Sequence, residues 1–82
     1  MPAWFLYIVR CKNGSLYTGI TTDVAARVLV HNAGKGAKYT RAFGPVVLAY
    51  SKKMKSATAA RVREAEVKRL TKKEKEKMCG RV

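Results

Sequence analysis

Residues 4–20, WFLYIVRCKNGSLYTGI, contain two runs of apolar and aromatic residues on either side of a short polar turn. The run from Trp4 to Cys11 has apolar side chains at both odd and even positions, which is typical of a strand covered on both faces. The run from Ser15 to Ile20 follows Lys12-Asn13-Gly14, where the glycine is free to adopt a positive φ. This stretch therefore predicts an antiparallel β-hairpin at the beginning of the fold.

The middle of the chain predicts a helix followed by a basic segment. Thr21-Thr22-Asp23 offers hydroxyl and carboxylate caps, and residues 24–32 place apolar side chains on one stripe at helical spacing. Gly34 ends this helix. The segment from Lys35 to Arg41 is basic and contains one aromatic residue. We expect it to form either an irregular turn or a short helix.

The last part of the chain predicts one strand and two helices. Pro45 precedes a strand over residues 46–50, and a helix is expected over 57–70. Thr71-Lys72-Lys73-Glu74 is a capping-box pattern that begins a final short helix, and residues 79–82 are expected to be frayed. The order is β-β-α-β-α-α. It predicts the α/β class in its α+β form, with a small three-stranded antiparallel sheet flanked by helices.

The size and charge of the chain narrow its function. Eighty-two residues with 48% hydrophobic content predict one domain, residues 1–82, with a core over about 4–78. The net charge of +13 attracts polyanions, and it exceeds the charge of about 2 to 8 that solubility requires. We therefore expect nucleic acid as the partner. An anionic membrane surface is disfavoured because the basic residues are spread over several elements instead of one amphipathic helix.

Cysteine usage and hydropathy indicate a compartment. Cys11 and Cys79 are the two cysteines, and they form neither a disulfide framework nor a CxxC zinc motif. No signal peptide and no apolar run of about 20 residues is visible in the sequence. A reducing, cytoplasmic location and no membrane partner are expected.

Two short motifs carry a family resemblance. Phe5-Leu6-Tyr7 and, ten residues on, Leu16-Tyr17-Thr18-Gly19 resemble the paired Gly-Ile-Tyr and Tyr-Ile-Gly motifs of the GIY-YIG nucleases. Arg27 and Glu64 follow at spacings similar to those of the bacterial excision-repair nuclease. The resemblance extends from Trp4 to about Met78, and residues 17–39 are especially similar to the short, single-domain bacterial branch of the family. It implies a GIY-YIG domain that hydrolyses DNA phosphodiester bonds with a metal ion, in DNA repair or recombination.

The sequence departs from the family pattern at a few positions. Phe5 replaces a glycine and Thr18 replaces isoleucine or valine, and neither replaced position supplies catalytic chemistry in the family. Ile20 stands where some members have a lysine, so one contact to the substrate phosphate is missing. His31 stands where some members place a third tyrosine, and structure-selective members also carry the His31-Asn32 pair.

The resemblance gives five residues a role that their chemistry supports. Glu64 can hold one Mg²⁺ or Mn²⁺, because a hard cation accepts a single carboxylate and keeps its waters. Arg27 can present a charged, planar guanidinium to the phosphate. Tyr7 or His31 could take the proton of the attacking water, and Tyr17 could orient that water or a phosphate oxygen. A phenol with an ordinary pKa of about 10 needs a nearby metal or arginine to lower it.

Each of these residues alone also fits a purely structural role. A tyrosine in a strand usually packs, Glu64 could pair with Lys68, and His31 could be a cation at a helix C-terminus. Helical periodicity places Arg27 and His31 on one face but does not choose between Glu64 and Glu66. The resemblance chooses Glu64. The occurrence of all five residues in order, at matching separations, favours a nuclease site.

A second group of residues is predicted to contact nucleic acid. It is the basic segment with one aromatic, which suits phosphate contacts and stacking on an unpaired base: Lys35, Lys38, Tyr39 and Arg41. The alternative is a non-catalytic basic nucleic-acid-binding module, associated with RNA or the ribosome. Because the sequence shows no separate recognition domain, we expect the protein to cut by DNA structure rather than sequence. We also expect a monomer. An RNA substrate and a targeting partner protein are left open.

A shared site makes a geometric demand on the hairpin turn. A two-residue turn would place Tyr17 opposite Arg10, so that Tyr7 and Tyr17 would lie on opposite faces of the sheet. A three-residue loop with Gly14 left-handed in a bulge places Tyr17 opposite Val9, on the same face as Tyr7. We therefore predict the three-residue loop or an equivalent bulge.

Overall fold

The computed structural model describes residues 3–80, and within that range the chain forms three strands and four helices. Residues 1–2 and 81–82 of the predicted domain lie outside the described part. The elements in chain order are β1 (Trp4–Cys11), β2 (Leu16–Thr21), α1 (Val24–Asn32), α2 (Lys38–Phe43), β3 (Val46–Met54), α3 (Ala57–Lys68) and α4 (Lys72–Met78).

The sheet is antiparallel, and β1 lies between β2 and β3. The predicted coverage of β1 on both faces is confirmed, because Leu6, Tyr7, Ile8 and Val9 are all at most 1% exposed. The predicted fold class and element order are also confirmed. The segment that the sequence left open between turn and helix contains the short helix α2.

The hairpin has the predicted three-residue loop. The backbone N–H of Cys11 donates to the carbonyl of Ser15 at 2.8 Å, and the N–H of Gly14 donates to the carbonyl of Cys11 at 2.9 Å. Gly14 has a φ of 87°, in the left-handed region that favours glycine. Tyr17 is paired with Val9, so Tyr7 and Tyr17 share a face of the sheet.

The structure corrects three boundaries. β3 continues to Met54 instead of ending at residue 50, because its polar end pairs along β1 as far as Trp4. The helix predicted over 57–70 ends at Lys68, and Leu70 lies in the turn before α4. Cys79 is not frayed: its backbone N–H donates to the carbonyl of Lys75 at 3.1 Å and its side chain is half-buried.

The two faces of the sheet carry separate clusters, which we call the α1 face and the α3 face. The α1 face is built on Tyr7, Val9, Cys11 and Val46, against which Tyr17, Val24 and Val28 pack. The α3 face is built on Leu6, Ile8 and Val67, with side chains from β2, β3 and α4 around them. Within residues 3–80, no helix is both long enough and apolar enough to cross a bilayer.

Side-chain bonds fix the helices to the sheet. Asp23 caps α1 by accepting from the N–H of Ala26 at 3.0 Å. At the other end of α1, the amide of Asn32 both donates to and accepts from the backbone of Val46, at 3.1 and 2.6 Å. On the opposite side, Arg10 donates two hydrogen bonds of 2.6 Å to the carboxylate of Glu76. These contacts hold α1 and α4 against the strands.

Candidate active site

The centre of the α1 face is a buried hydrogen bond between a tyrosine and a histidine. Tyr7 comes from the middle of β1 and is 1% exposed, and His31 comes from the last turn of α1 and is also 1% exposed. The Tyr7 hydroxyl lies 2.8 Å from Nε2 of His31. A strand and a helix thus present two groups that can exchange a proton.

Thr40 completes this chain of hydrogen bonds and sets its direction. Its hydroxyl lies 2.7 Å from Nδ1 of His31 and donates to the carbonyl of Ala37 at 3.0 Å. A hydroxyl has a single hydrogen, so Thr40 accepts from Nδ1–H of His31. Nε2 is therefore the acceptor of the neutral ring, and the phenol of Tyr7 donates to it. The structure orients His31 as a proton acceptor for Tyr7.

Two glycines make room for the pair. A Cβ on Gly19 would lie 2.6 Å from the Tyr7 hydroxyl, and a Cβ on Gly36 would lie 2.3 Å from Nδ1 of His31. Gly19 is paired with Tyr7 across the hairpin, so its missing side chain leaves the space that the phenol fills. Any larger residue at either position would displace a member of the pair.

Burial and Arg27 tune the titration of both groups. Burial raises the pKa of Tyr7, and the guanidinium of Arg27 opposes this without reversing it. Burial also lowers the pKa of His31, and the positive charge of Arg27 acts in the same direction. Arg27 thus lowers the pKa of the Tyr7 phenol, as expected of a neighbouring arginine, but burial raises that pKa by more. At rest, phenol and imidazole are both neutral.

Glu64 lies on α3 within the electrostatic reach of this group, since its charge contributes to the raised pKa of Tyr7 after burial and Tyr17. Its side chain is 23% exposed and pairs with Lys68 at 3.4 Å, so the structural contact expected for an isolated Glu64 is also made. Glu66 is 57% exposed and pairs with Arg63 at 3.3 Å. Of the two carboxylates that periodicity could not separate, Glu64 is the less exposed and the one whose charge acts on Tyr7.

Tyr17 joins the group through its ring. The centroids of the Tyr17 and His31 rings are 5.4 Å apart, with an edge-to-face angle of 66°. The structure therefore brings Tyr7 and Tyr17 against His31, and the charges of Arg27 and Glu64 act on the Tyr7 hydroxyl. Their roles in a reaction stay a prediction.

The residues predicted to contact nucleic acid lie on one side of the candidate active site. Lys35 lies in the turn after α1. Lys38, Tyr39 and Arg41 lie on α2, and all four side chains are exposed. The ring of Tyr39 is 6.4 Å from that of Tyr17. The basic segment therefore begins where the tyrosine cluster reaches solvent.

Sequence reasoning missed two residues of the site. Thr40 lies in the basic segment, and no local signal marks a threonine that bonds to a histidine nine positions earlier. Gly36 was part of the resemblance but had no function of its own. A glycine next to a basic turn is consistent with loop geometry alone, so its close approach to His31 becomes visible in three dimensions only.

The family of the chain follows from this fold and from direct comparison. A family model described as the GIY-YIG catalytic domain matches residues 3–77. The chain therefore belongs to the GIY-YIG family, and this membership indicates nuclease activity and nucleic-acid binding in general. The predicted resemblance is confirmed.

Within the family, the chain is similar to short bacterial proteins named UPF0213. A UPF0213 protein of Staphylococcus haemolyticus is 51% identical over 78 residues, which cover 95% of each chain. One of Cronobacter sakazakii is 47% identical over 80 residues, covering 98% of this chain and 84% of that protein. The solution NMR structure of the UPF0213 protein of Bacillus halodurans is 45% identical, with a TM-score of 0.61 over 95% of this chain and 83% of that one.

Proposed function

We propose that this chain is a metal-dependent endonuclease that hydrolyses phosphodiester bonds in DNA. The observation that carries the proposal is the buried relay from the Tyr7 hydroxyl through His31 to Thr40, with bonds of 2.8 and 2.7 Å. A nucleic-acid-binding module needs no buried proton acceptor beneath a phenol. Hydrolysis does need one, because the attacking water must lose a proton.

The relay gives Tyr7 and His31 consecutive roles as the base. As water attacks phosphorus, its proton passes to the Tyr7 oxygen while the phenol's own proton passes to Nε2 of His31. The bond between phosphorus and the leaving oxygen then breaks, that oxygen takes a proton from solvent, and the imidazolium releases its proton to solvent through Tyr7, which restores both neutral groups. No free phenolate is required, which is consistent with the raised pKa of Tyr7. Arg27 stabilises the charge that develops on the phosphoryl oxygens.

The donor set near Tyr7 fits one hard divalent cation. Within the described residues, no three His, Cys, Asp or Glu side chains converge as a zinc or calcium cage requires. Glu64 offers a single carboxylate, which suits Mg²⁺ or Mn²⁺ with water as the remaining ligands. When bound, such an ion would supply Lewis-acid stabilisation of the phosphate charge.

The exposed basic residues support selection by DNA structure. Lys35, Lys38 and Arg41 can contact phosphates, and such contacts position a strand without reading its sequence. Cys11 and Cys79 are both free thiols, in keeping with the cytoplasm as the compartment that we propose. We also propose that the protein acts as a monomer.

A pair of matched variants tests the activity. Labelled single-stranded, duplex, nicked and branched DNA is incubated with Mg²⁺ or Mn²⁺ and wild type, Glu64→Gln or Glu66→Gln. We expect cleavage by wild type and Glu66→Gln and none by Glu64→Gln, while metal-free DNA binding, measured by fluorescence anisotropy, is equal for all three. Loss of activity in Glu66→Gln alone would refute the assignment of Glu64. Binding without cleavage by wild type would favour the binding module.

A further inference from the structure

A row of aromatic rings leads from the candidate site to the protein surface along α2. The ring of Tyr39 is nearly parallel to that of Tyr17, at an angle of 18° and a centroid distance of 6.4 Å. The ring of Phe43 follows at 4.9 Å from Tyr39 and is tilted by 52° to it. Tyr39 is 41% exposed and Phe43 is 40% exposed. We call these two side chains the aromatic shelf.

The buried side of α2 and the end of that helix hold the shelf in place. Tyr39 and Phe43 are four residues apart and share one face of α2, whereas Thr40 between them is fully buried and bonded to His31. At the end of the helix, the carbonyl of Phe43 accepts from the N–H of Lys12 at 2.9 Å. The same helix therefore fixes the relay on one side and displays two large rings on the other.

The surroundings of the shelf are cationic. Residues 35–43 contain Lys35, Lys38 and Arg41 and no acidic residue. Exposed aromatic rings beside basic side chains match the faces of bases and the phosphates between them. In a duplex the faces of the bases are covered by their neighbours, so an unpaired base can use such a surface and a paired one cannot.

We propose that Tyr39 and Phe43 form a base-stacking site for an unpaired nucleotide that flanks the scissile phosphate. The substrate is then a DNA strand that is single-stranded next to the cut, as in a flap, a gap or a free strand. The ring of Tyr17 lies against both His31 and Tyr39, so a base on the shelf would lie next to the phosphate on which the relay acts. This placement of the cut rests on the proposed function.

The test measures stacking directly, without metal and without cleavage. 2-Aminopurine, a base whose fluorescence is quenched when it stacks, is placed within a short single-stranded DNA and within the matching duplex. We expect wild type to quench the single strand, and Tyr39→Ala and Phe43→Ala each to weaken single-strand binding about tenfold and to reduce the quenching. Duplex affinity should not change.

Three further variants separate stacking from general apolar contact and from loss of folding. Tyr39→Phe keeps a ring and should behave as wild type, whereas Phe43→Leu keeps an apolar side chain without a ring and should behave as Phe43→Ala. Leu29→Ala removes another exposed apolar side chain, 71% exposed on α1, and should leave both affinities unchanged. Equal losses on single strand and duplex, or no loss on either, would overturn the shelf.

The shelf and the proposed function fail in different ways. If wild type shows the stacking effects but cleaves no DNA with Mg²⁺ or Mn²⁺, the endonuclease is refuted and the base-stacking site stands. If wild type cleaves single-stranded DNA and Tyr39→Ala and Phe43→Ala cleave it with unchanged KM and kcat, the shelf is refuted and the endonuclease stands.

Discussion

The two faces of β1 are equally buried but differ in chemistry. On the α1 face, Tyr7 ends in a chain of polar hydrogen bonds through His31 and Thr40. On the α3 face, Ile8 packs in an apolar cluster with Val67. Because adjacent residues of a strand point to opposite faces, one strand serves both purposes. Burial by itself therefore does not define a site; the partners of the buried groups do. Substitutions on the two faces should therefore separate activity from stability.

The largest effect should come from removing one oxygen on the α1 face. Tyr7→Phe removes the first member of the relay, so we expect the cleavage rate to fall by about 10²–10⁴-fold, while the fold persists. Tyr50→Phe makes the same chemical change on the α3 face, where Tyr50 packs near Ile8, and should leave the rate unchanged. Steady-state cleavage rates measure both. Equal losses in the two variants would remove the distinction between the faces.

The converse effect is expected on the α3 face. Ile8→Ala opens a cavity in the apolar cluster and should lower the free energy of unfolding by about 2–5 kcal/mol, with little change in cleavage rate below the unfolding transition. Val9→Ala deletes fewer atoms than Ile8→Ala, so it should lower the free energy of unfolding by less. Because Tyr17 packs against the cluster that contains Val9, Val9→Ala should lower the cleavage rate by more. Denaturant unfolding and cleavage rates together check this. A large loss of rate in Ile8→Ala would contradict the separation.

A smaller effect should distinguish two buried threonines. Thr40 has hydrogen-bond partners on both sides, whereas Thr18, paired with Ile8 on the α3 face, has a hydroxyl without a partner among the described residues. Thr40→Val should lower the free energy of unfolding by about 1–3 kcal/mol and slow cleavage. Thr40→Ser keeps the hydroxyl, so its stability and cleavage rate should match those of wild type. Thr18→Val should be neutral or stabilising, because it removes an unpartnered polar group. A destabilised Thr18→Val would mean that its hydroxyl is satisfied after all.

These residues also show which parts of the fold could be predicted from the sequence. The hairpin register was predictable because the length of a turn fixes which side chains face each other. The end of β3 was not, because Ser51, Lys52 and Lys53 have no strand pattern and are held in the sheet by pairing with β1. Local propensity cannot report a contact that the partner strand supplies.

The candidate site divides in the same way. Tyr7 and Tyr17 could be found from their motifs, and their shared face followed from the turn. Thr40 could not, since its bond to His31 depends on how residues 33–37 turn back between two helices. Glu64 and Glu66 lie two residues apart on α3, and the orientation of that helix against the sheet, which periodicity left ambiguous, separates them.

The pH dependence of His31 is a more modest test of the α1 face. Burial and Arg27 lower its pKa, below an unfolded value of about 6.5. The unfolded chain therefore binds more protons below that pH, so stability should be complete above about pH 6.5 and decrease from there down to the folded pKa. The chain has one histidine, so an NMR titration of its imidazole needs no assignment. A midpoint at or above 6.5 would contradict the lowered pKa of His31, and Arg27→Gln should raise the midpoint.

The smallest effect is expected from the ion pair that fixes α4 on the α3 face. The two hydrogen bonds from Arg10 hold the pKa of Glu76 at about 2, below its usual 4.5. Because the folded pKa is depressed, the contribution of this pair is present above about pH 4.5 and is lost as the pH falls from there to about 2. Glu76→Gln should reduce the acid sensitivity of thermal unfolding in that window. Glu66→Gln, which breaks the exposed pair with Arg63, should not, since pairs open to solvent contribute little. Equal acid profiles for wild type and Glu76→Gln would show that the apolar contacts of Met78 and Cys79 hold α4 without the ion pair. Cleavage should be unchanged in both variants, because neither Glu76 nor Glu66 is a member of the relay.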